Sequence, residues 1–467
     1  MQRRKFIYNF LLLTGGFIAG CNRRLNIKNP SGAVVKGRVR SGGKTLADVV
    51  VSDGFSVVKT NRDGSYEIPL TARSEHVFIS VPSGYELPHE KNIARHYKVV
   101  NGTTALDFDL KKLSVNDDKH QFMIWADPQV RNQNDVDKLM TQSVPDVQQY
   151  MKGLPADTLI HGICVGDIVW DNLPLFDSYN AAIDKCGLPF FQVIGNHDMD
   201  YRKGGEETSD DTFKKNFGPS YYSFNRGQIH YVVLDDVWYL GPEREYKGRI
   251  TDDQLEWLKK DLAFVPKEKV IVLSAHIPIN KVENKDSLYD IVKDYSVHIM
   301  TGHTHYNDNY VSDNVYEHVH GTVCGAWWTG PICGDGTPPG YAVYEVDGTQ
   351  LKWFYKTVGK DKNHQIRTMT ENTADGEKEL YANVWNWDST WKVEWQVDGT
   401  NKGALPRVNS FDPLAVALYK GDKLPKPRPF VEPKQTEHMF RAMIPKGAKE
   451  IKIVATDRFG NKYQTTA

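Results

Sequence analysis

Five short polar blocks in the sequence carry side chains suited to divalent-metal chemistry. They are Asp127-Pro128-Gln129, Gly166-Asp167 with Asp171 four residues on, Gly195-Asn196-His197-Asp198, Ala275-His276-Ile277-Pro278 and Gly302-His303-Thr304-His305. Carboxylate and amide oxygens and imidazole nitrogens are ligands for first-row divalent ions. Each block alone is weak evidence, because the chain has 15 histidines and a single histidine is more often a core or surface residue. The order of the blocks gives them weight. Each directly follows an apolar run, so successive strands would deliver their tips to one place. Glycines at positions 166, 195 and 302 allow the tight turns that aim side chains into a common site.

The elements that must position these tips are legible in outline. From about residue 120 to 358 the pattern alternates strand, loop and helix. Apolar runs over 120–126, 158–165, 190–194, 269–275 and 297–301 read as strands, 136–151 and 175–186 as helices, and 221–235 as a hairpin. Thr251-x-x-Gln254 is a capping box opening a helix with Leu255, Leu258 and Leu262 on one face. This alternation predicts an α/β layered domain, with ligands just beyond the carboxyl ends of its strands. Residues 33–113 show short alternating strands with Gly42-Gly43, Asp53-Gly54 and Asp63-Gly64 turns, which predict a small antiparallel sandwich serving as a spacer. Residues 362–467 are strand-like again, with Trp385, Trp387, Trp391 and Trp395 expected mainly in a core. Pro425, Pro427, Pro429 and Pro433 mark a loop within this β-rich domain. Three domains also suit a length of 467 residues.

The N-terminus reads as an address. Arg3, Arg4 and Lys5 precede an apolar run over 6–19, followed by Gly20 and Cys21. The run is too short to span a bilayer and has the parts of a secretory signal. Ile18-Ala19-Gly20-Cys21 resembles a bacterial lipobox, which implies cleavage before Cys21 and lipid on its sulfur; the arginine pair also resembles a twin-arginine signal. Residues 1–20 are thus expected to be a signal peptide and 21–32 a lipid-anchored tether, giving an exported protein at the periplasm or outer membrane of a bacterium. Loss of Arg3, Arg4 and Lys5 shifts the balance from 58 basic against 59 acidic residues to 55 against 59, a net of −4. That charge carries no nucleic-acid footprint, and 25% charged with 40% hydrophobic residues excludes bulk disorder and a multi-span membrane protein. Besides Cys21 there are Cys164, Cys186, Cys324 and Cys333. The first two read as buried thiols; a disulfide between the last two is left open.

On the five ordered blocks, residues 120–358 resemble the calcineurin-like metallophosphoesterases, and the flanking regions resemble the N-terminal and C-terminal β domains of bacterial lipoproteins with such a core. The resemblance implies a layered β-sandwich flanked by helices over 117–358. It implies two divalent metal ions (Mn, Fe, Zn or Mg), the first held by Asp127, Gln129 and His305, the second by Asn196, His276 and His303, with Asp167 bridging. It further implies that His197 stabilises the transition state or protonates the leaving oxygen while Asp198 fixes its tautomer. The family usually has histidine where Gln129 stands; an amide oxygen is harder than imidazole nitrogen, so the first site is expected to favour Mn²⁺, Mg²⁺ or Fe over Zn²⁺. The implied reaction is hydrolysis of phosphomonoesters or phosphodiesters by a metal-bridging hydroxide, and the sequence does not choose between the two. Trp170, Asp171 and Trp328, with Trp327 beside it, are expected substrate contacts, and the insert over 199–218 is expected to act as a lid. Expected partners are a small-molecule, glycan or lipid phosphoester and, through the lipid anchor, a membrane, with no nucleic acid. Two other readings remain open at this level: a non-catalytic scaffold, and a surface glycan-binding lipoprotein.

Overall fold

The computed structural model describes residues 32–241 and 244–467. The expected signal peptide, the tether up to residue 31 and Cys21 lie outside the described residues. Among those described, no helix is long and apolar enough to cross a membrane.

The central domain is built on β1 (Lys119–Trp125), β2 (Ile160–Val165), β3 (Phe190–Val193), β4 (Tyr222–Arg226), β5 (Ile229–Val233), β6 (Val270–Ser274), β7 (Ser296–Thr301), β8 (Asp308–Val311), β9 (Val315–Val319), β10 (Gly340–Asp347) and β11 (Gln350–Thr357). One sheet runs β11-β10-β1-β2-β3 and the other β4-β5-β6-β7-β9-β8. Strands β1–β3 are mutually parallel, as are β5, β6, β7 and β9. Parallel strands covered on both faces read as continuous apolar runs, and every residue of β2 and β6 is buried. The sheets face one another through Phe191 stacked on Phe224 at 3.8 Å and Phe122 edge-on to Tyr231 at 5.4 Å. Helices α1 (Gln133–Lys138), α2 (Val144–Lys152), α3 (Phe176–Cys186), α4 (Asp211–Phe217) and α5 (Asp252–Leu262) occupy the connections.

Two local expectations change. The helix expected over 136–151 is broken by a wide turn at Leu139–Ser143, because Pro145 has no N–H to give the preceding turn. The box at α5 is half formed: Thr251 accepts from the Gln254 N–H at 3.3 Å, while the Gln254 side chain turns to the Asp235 backbone.

The N-terminal domain is two four-stranded sheets, but it is no free spacer. Its residues Ile93–Ala94 and His89–Glu90 extend the first central sheet beyond β3. The buried Trp257 of α5 donates to Ser52 Oγ at 3.1 Å and packs on Phe78.

The C-terminal domain is a sandwich of two four-stranded antiparallel sheets around Leu380, Val393, Phe440, Ile453 and Tyr463. Trp385 and Trp391 are buried as expected of core residues, whereas Trp387 is half-buried at the boundary with the central domain. That boundary is polar. Asp335 accepts from the Asn307 N–H at 2.9 Å and from His438 Nε2 at 3.1 Å, and Asn383 Nδ2 donates to the Asp335 carbonyl at 2.9 Å. Because Asn307 lies two residues after His305, this network fixes the last of the five polar blocks from outside its own domain.

Candidate metal centre

The five blocks converge at the carboxyl ends of β1, β2, β3, β6 and β7. Donor atoms of Asp167, His276 and His303 lie within 4.8 Å of one another, and so do those of Asp127, Asp167 and His305. Asp167 is common to both triads, which is what a carboxylate between two cations requires. Gln129 joins the second triad through Nε2, which donates to Asp167 Oδ2 at 3.0 Å; Asn196 Oδ1 lies 3.1 Å from His276 Nε2 in the first. All seven expected ligands are therefore in one cluster, buried except for His303, which is half-exposed.

The turns reach this arrangement at a conformational cost. Asp127, Gln129, Asp167, His303 and His305 all have positive φ, between 42° and 66°. Left-handed backbone at non-glycine residues costs of order 1–3 kcal/mol each and concentrates at functional sites. Of the three glycines expected to permit the turns, only Gly166 has positive φ, at 88°. Gly195 and Gly302 act by allowing close approach instead: a Cβ on Gly195 would lie 2.1 Å from the Asp167 nitrogen, and one on Gly302 2.5 Å from Asp127 Oδ2.

Hydrogen bonding shows that the cluster fits cations. Asp127 Oδ1, Gln129 Oε1 and His305 Nδ1 are buried and have no hydrogen-bond partner among the described residues, so a cation held between them would displace no hydrogen bond of theirs. His276 Nδ1 is 2.8 Å from the Val165 carbonyl; donation there leaves Nε2 aimed at Asp167, 3.3 Å away, the ligand orientation that backbone carbonyls impose on metal-binding histidines. Burial opposes a charge on His276, but Asp167 raises its pKa to about 10, so a proton meets the demand of the carboxylates that a divalent ion would meet. His303 is driven the other way, to about 3, by burial and by His276.

His197 projects beside this cluster, with its side chain 24% exposed. Its Nδ1 is 2.7 Å from Asp171 Oδ1, and Arg244 Nη1 donates to Asp171 Oδ2 at 2.6 Å. Burial works against protonation of His197, but Asp167 and Asp171 raise its pKa above the ordinary value. Asp171 is thus the group that fixes the His197 ring, and the expected role of Asp198 is corrected. Asp198 is fully buried and accepts from the N–H groups of Ile168, Val169 and Gly195 at 2.9–3.1 Å; it ties the second block to the third and does not touch the imidazole. Burial and then the charge of Asp167 raise its pKa to about 7.

The expected substrate contacts are also redistributed. Asp171 is committed to His197 and Arg244. Trp328 is buried, and its Nε1 donates to the Pro128 carbonyl at 2.7 Å, so it buttresses the first block from behind. Its neighbour Trp327 faces the site instead, stacked on His305 at 4.2 Å. Trp170 lies edge-on to His197 at 5.5 Å, and Phe430 of the C-terminal domain contacts both Trp170 at 5.5 Å and Trp327 at 5.2 Å. Trp170, Trp327 and Phe430 thus form an aromatic rim above His305 and His197. Phe430 is placed there by Arg428, which is 2% exposed and bonds to Asp135 at the start of α1 and to the Trp327 carbonyl. The expected lid is pinned: Asp200 accepts from Thr212 N and Oγ1 at 2.7 and 2.8 Å, and Phe213 of α4 is buried. Cys164, Cys186, Cys324 and Cys333 are all buried and free.

Arg244, Arg428 and Phe430 escaped the sequence reading. The four prolines marked the right loop, but no local signal says that Arg428 meets a residue 293 positions earlier.

Three family descriptions match: "N terminal of Calcineurin-like phosphoesterase" over residues 33–113, "Calcineurin-like phosphoesterase" over 126–307 and "C terminal of Calcineurin-like phosphoesterase" over 317–463. A curated relative is the uncharacterized protein YvnB of Bacillus subtilis (strain 168), 29% identical over 160 residues, which are 30% of this chain and 12% of that protein. Similar solved structures include a dimetal phosphatase from Danio rerio (14% identity, 51% of this chain and 96% of that one, TM-score 0.40). A purple acid phosphatase from yellow lupin (14% identity, 67% of each chain, TM-score 0.40) is another. The chain belongs to the calcineurin-like phosphoesterases, a family of metal-dependent phosphoester hydrolases.

Proposed function

We propose that the protein hydrolyses phosphomonoesters or phosphodiesters at two divalent ions, exported and anchored by lipid on Cys21. The observation that carries the catalytic reading is the pair of donor triads sharing Asp167, with Asp127 Oδ1 and Gln129 Oε1 making no hydrogen bond among the described residues. Asp127, Gln129 and His305 would hold one ion, Asn196, His276 and His303 the other, and Asp167 both. Bound ions supply positive charge for phosphoryl oxygens and acidify water at neutral pH. The chain supplies orientation and protons. With Nδ1 engaged by Asp171, His197 presents Nε2 to the site, where a proton can pass to the leaving oxygen. Arg244 holds Asp171 in turn, and the rim of Trp170, Trp327 and Phe430 lines that side of the site.

The Gln129 amide oxygen supports a first site that favours Mn²⁺, Mg²⁺ or Fe over Zn²⁺. The test is a panel of phosphomonoesters and phosphodiesters run on metal-stripped protein, restored with each ion in turn, alongside Gln129→His. Hydrolysis that returns with Mn²⁺, Mg²⁺ or Fe²⁺, and a shift of the variant toward Zn²⁺, is expected. Absence of hydrolysis with every ion would reject the catalytic reading; an unchanged metal order in the variant would reject the role of Gln129. The basic, apolar and small-residue run ending at Cys21 supports export and acylation, tested by mass spectrometry of the N-terminal peptide from membranes.

A further inference from the structure

His303 is the half-exposed member of the metal cluster, and it opens onto a groove of about 750 Å³ between the central and C-terminal domains. One wall comes from the segment after His303 together with Lys281; the other carries Trp387, Arg407, Asn409 and Lys434 of the C-terminal domain. The size suits a ligand well beyond a phosphate group.

The lining is unusual in composition: polar, charged and aromatic side chains, with no aliphatic residue among them. An acyl chain would find no apolar wall here. Aromatic rings interspersed with amides and hydroxyls suit a ring whose faces are apolar and whose edges carry hydroxyl groups. Tyr306 and Trp387 supply rings, and Asn309 and Asn409 line the groove with amides whose Nδ2 groups donate to the Trp387 carbonyl at 3.0 Å and to Glu437. Three cations, Lys281, Arg407 and Lys434, face two carboxylates, Asp308 and Glu437. Arg407 is spent on Glu437 at 2.6 Å and lies over the Trp387 ring at 4.5 Å. Among the described residues Lys281 enters no ion pair; it donates to the Tyr306 hydroxyl at 3.3 Å and lies over that ring at 5.7 Å, so the groove keeps a positive balance beside the metal cluster.

We propose that this groove binds the saccharide portion of a sugar phosphoester whose phosphorus lies at the metal cluster, which makes the C-terminal domain a specificity element. The proposal rests on the phosphoesterase reading, so its test includes a measurement independent of hydrolysis. An array of phosphorylated and unphosphorylated oligosaccharides is screened with the full chain, and hits are quantified by calorimetry for wild type, Trp387→Ala and Asn409→Ala. Asn409 is exposed, so its variant guards against a folding defect in the other. We expect oligosaccharide binding that weakens about tenfold in each variant. In hydrolysis, we expect KM for sugar phosphates to rise by a similar factor while p-nitrophenyl phosphate is cleaved as before. No saccharide binding, or binding that neither variant changes, overturns the groove assignment even if simple esters are hydrolysed. Saccharide binding lost in the variants without hydrolysis of any ester keeps the groove and rejects the catalytic reading.

Discussion

Two clusters of histidines occupy the same sheet and have opposite fates. His276, His303 and His305 stand past the ends of β6 and β7, with Asp127 and Asp167 among them. His298 lies in β7, His318 in β9 and His320 just past β9; His298 Nδ1 and His318 Nε2 are 3.0 Å apart and their rings stack with Tyr316. His320 spends both nitrogens, on the Thr301 carbonyl and the Tyr344 hydroxyl. No carboxylate joins this second group in a ligand set among the described residues. Burial lowers the pKa of His298 and His320 to about 4, so these rings are neutral aromatic core. Proximity of imidazoles therefore does not make a metal centre. Carboxylates at strand ends, and acceptors left without partners, make one.

The sharpest test of that contrast is Asp167→Asn. Both triads lose their shared charge, so bound metal should fall below one ion per chain. Hydrolysis should drop by about a thousandfold, in line with the several kcal/mol that bound cations supply; full metal content in this variant would break the comparison. Next comes His197→Ala, expected to keep its metal and lose about 10²–10⁴ in turnover, the range of general acid catalysis. Asp171→Asn should lower kcat about 10–100-fold, while Asp198→Asn should appear first in thermal unfolding. If Asp198 proved the more damaging to kcat with stability unchanged, the assignment of the two carboxylates would be reversed. A smaller effect is expected on the other side: His318→Gln should keep metal content and turnover within twofold and cost about 1–3 kcal/mol in urea unfolding. Loss of metal there would show that the two clusters are coupled.

The smallest effect concerns pH. His298 and His320 have folded pKa values depressed to about 4, below about 6.5 for the unfolded chain. Between these values the unfolded state binds more protons, so the contribution is intact above about pH 6.5 and is lost as pH falls toward 4. Each ring should remove about 0.7 kcal/mol between pH 7 and pH 6. A urea midpoint that stayed flat over that interval would contradict neutral burial of these rings.

The metal cluster was legible in sequence because its residues follow apolar strands and the parallel topology gathers strand ends. Asp127, Gln129, Asp167, Asn196, His276, His303 and His305 accordingly meet in one place. Asp198 adjoins His197 in sequence whereas Asp171 stands 26 residues earlier, so sequence proximity points to the wrong carboxylate; only the three backbone N–H groups around Asp198 reveal its use. Trp327 and Trp328 are adjacent, so their opposite orientations depend on a pair of left-handed residues, φ 50° and 59°, that composition does not announce. The rim and the groove depend on how a second domain docks, through contacts such as Asp335 with His438, and no pattern within one domain encodes that.

The Arg428–Asp135 pair binds the history of two domains together. Both side chains are almost completely buried, and removing one partner of such a pair costs about 3–5 kcal/mol because the other charge is stranded. A substitution at either position is therefore tolerable chiefly when its counterpart changes as well. Among relatives of this chain, positions 135 and 428 should be inherited as a couple, and recombination that brought in a foreign C-terminal domain would have to bring the matching start of α1 with it.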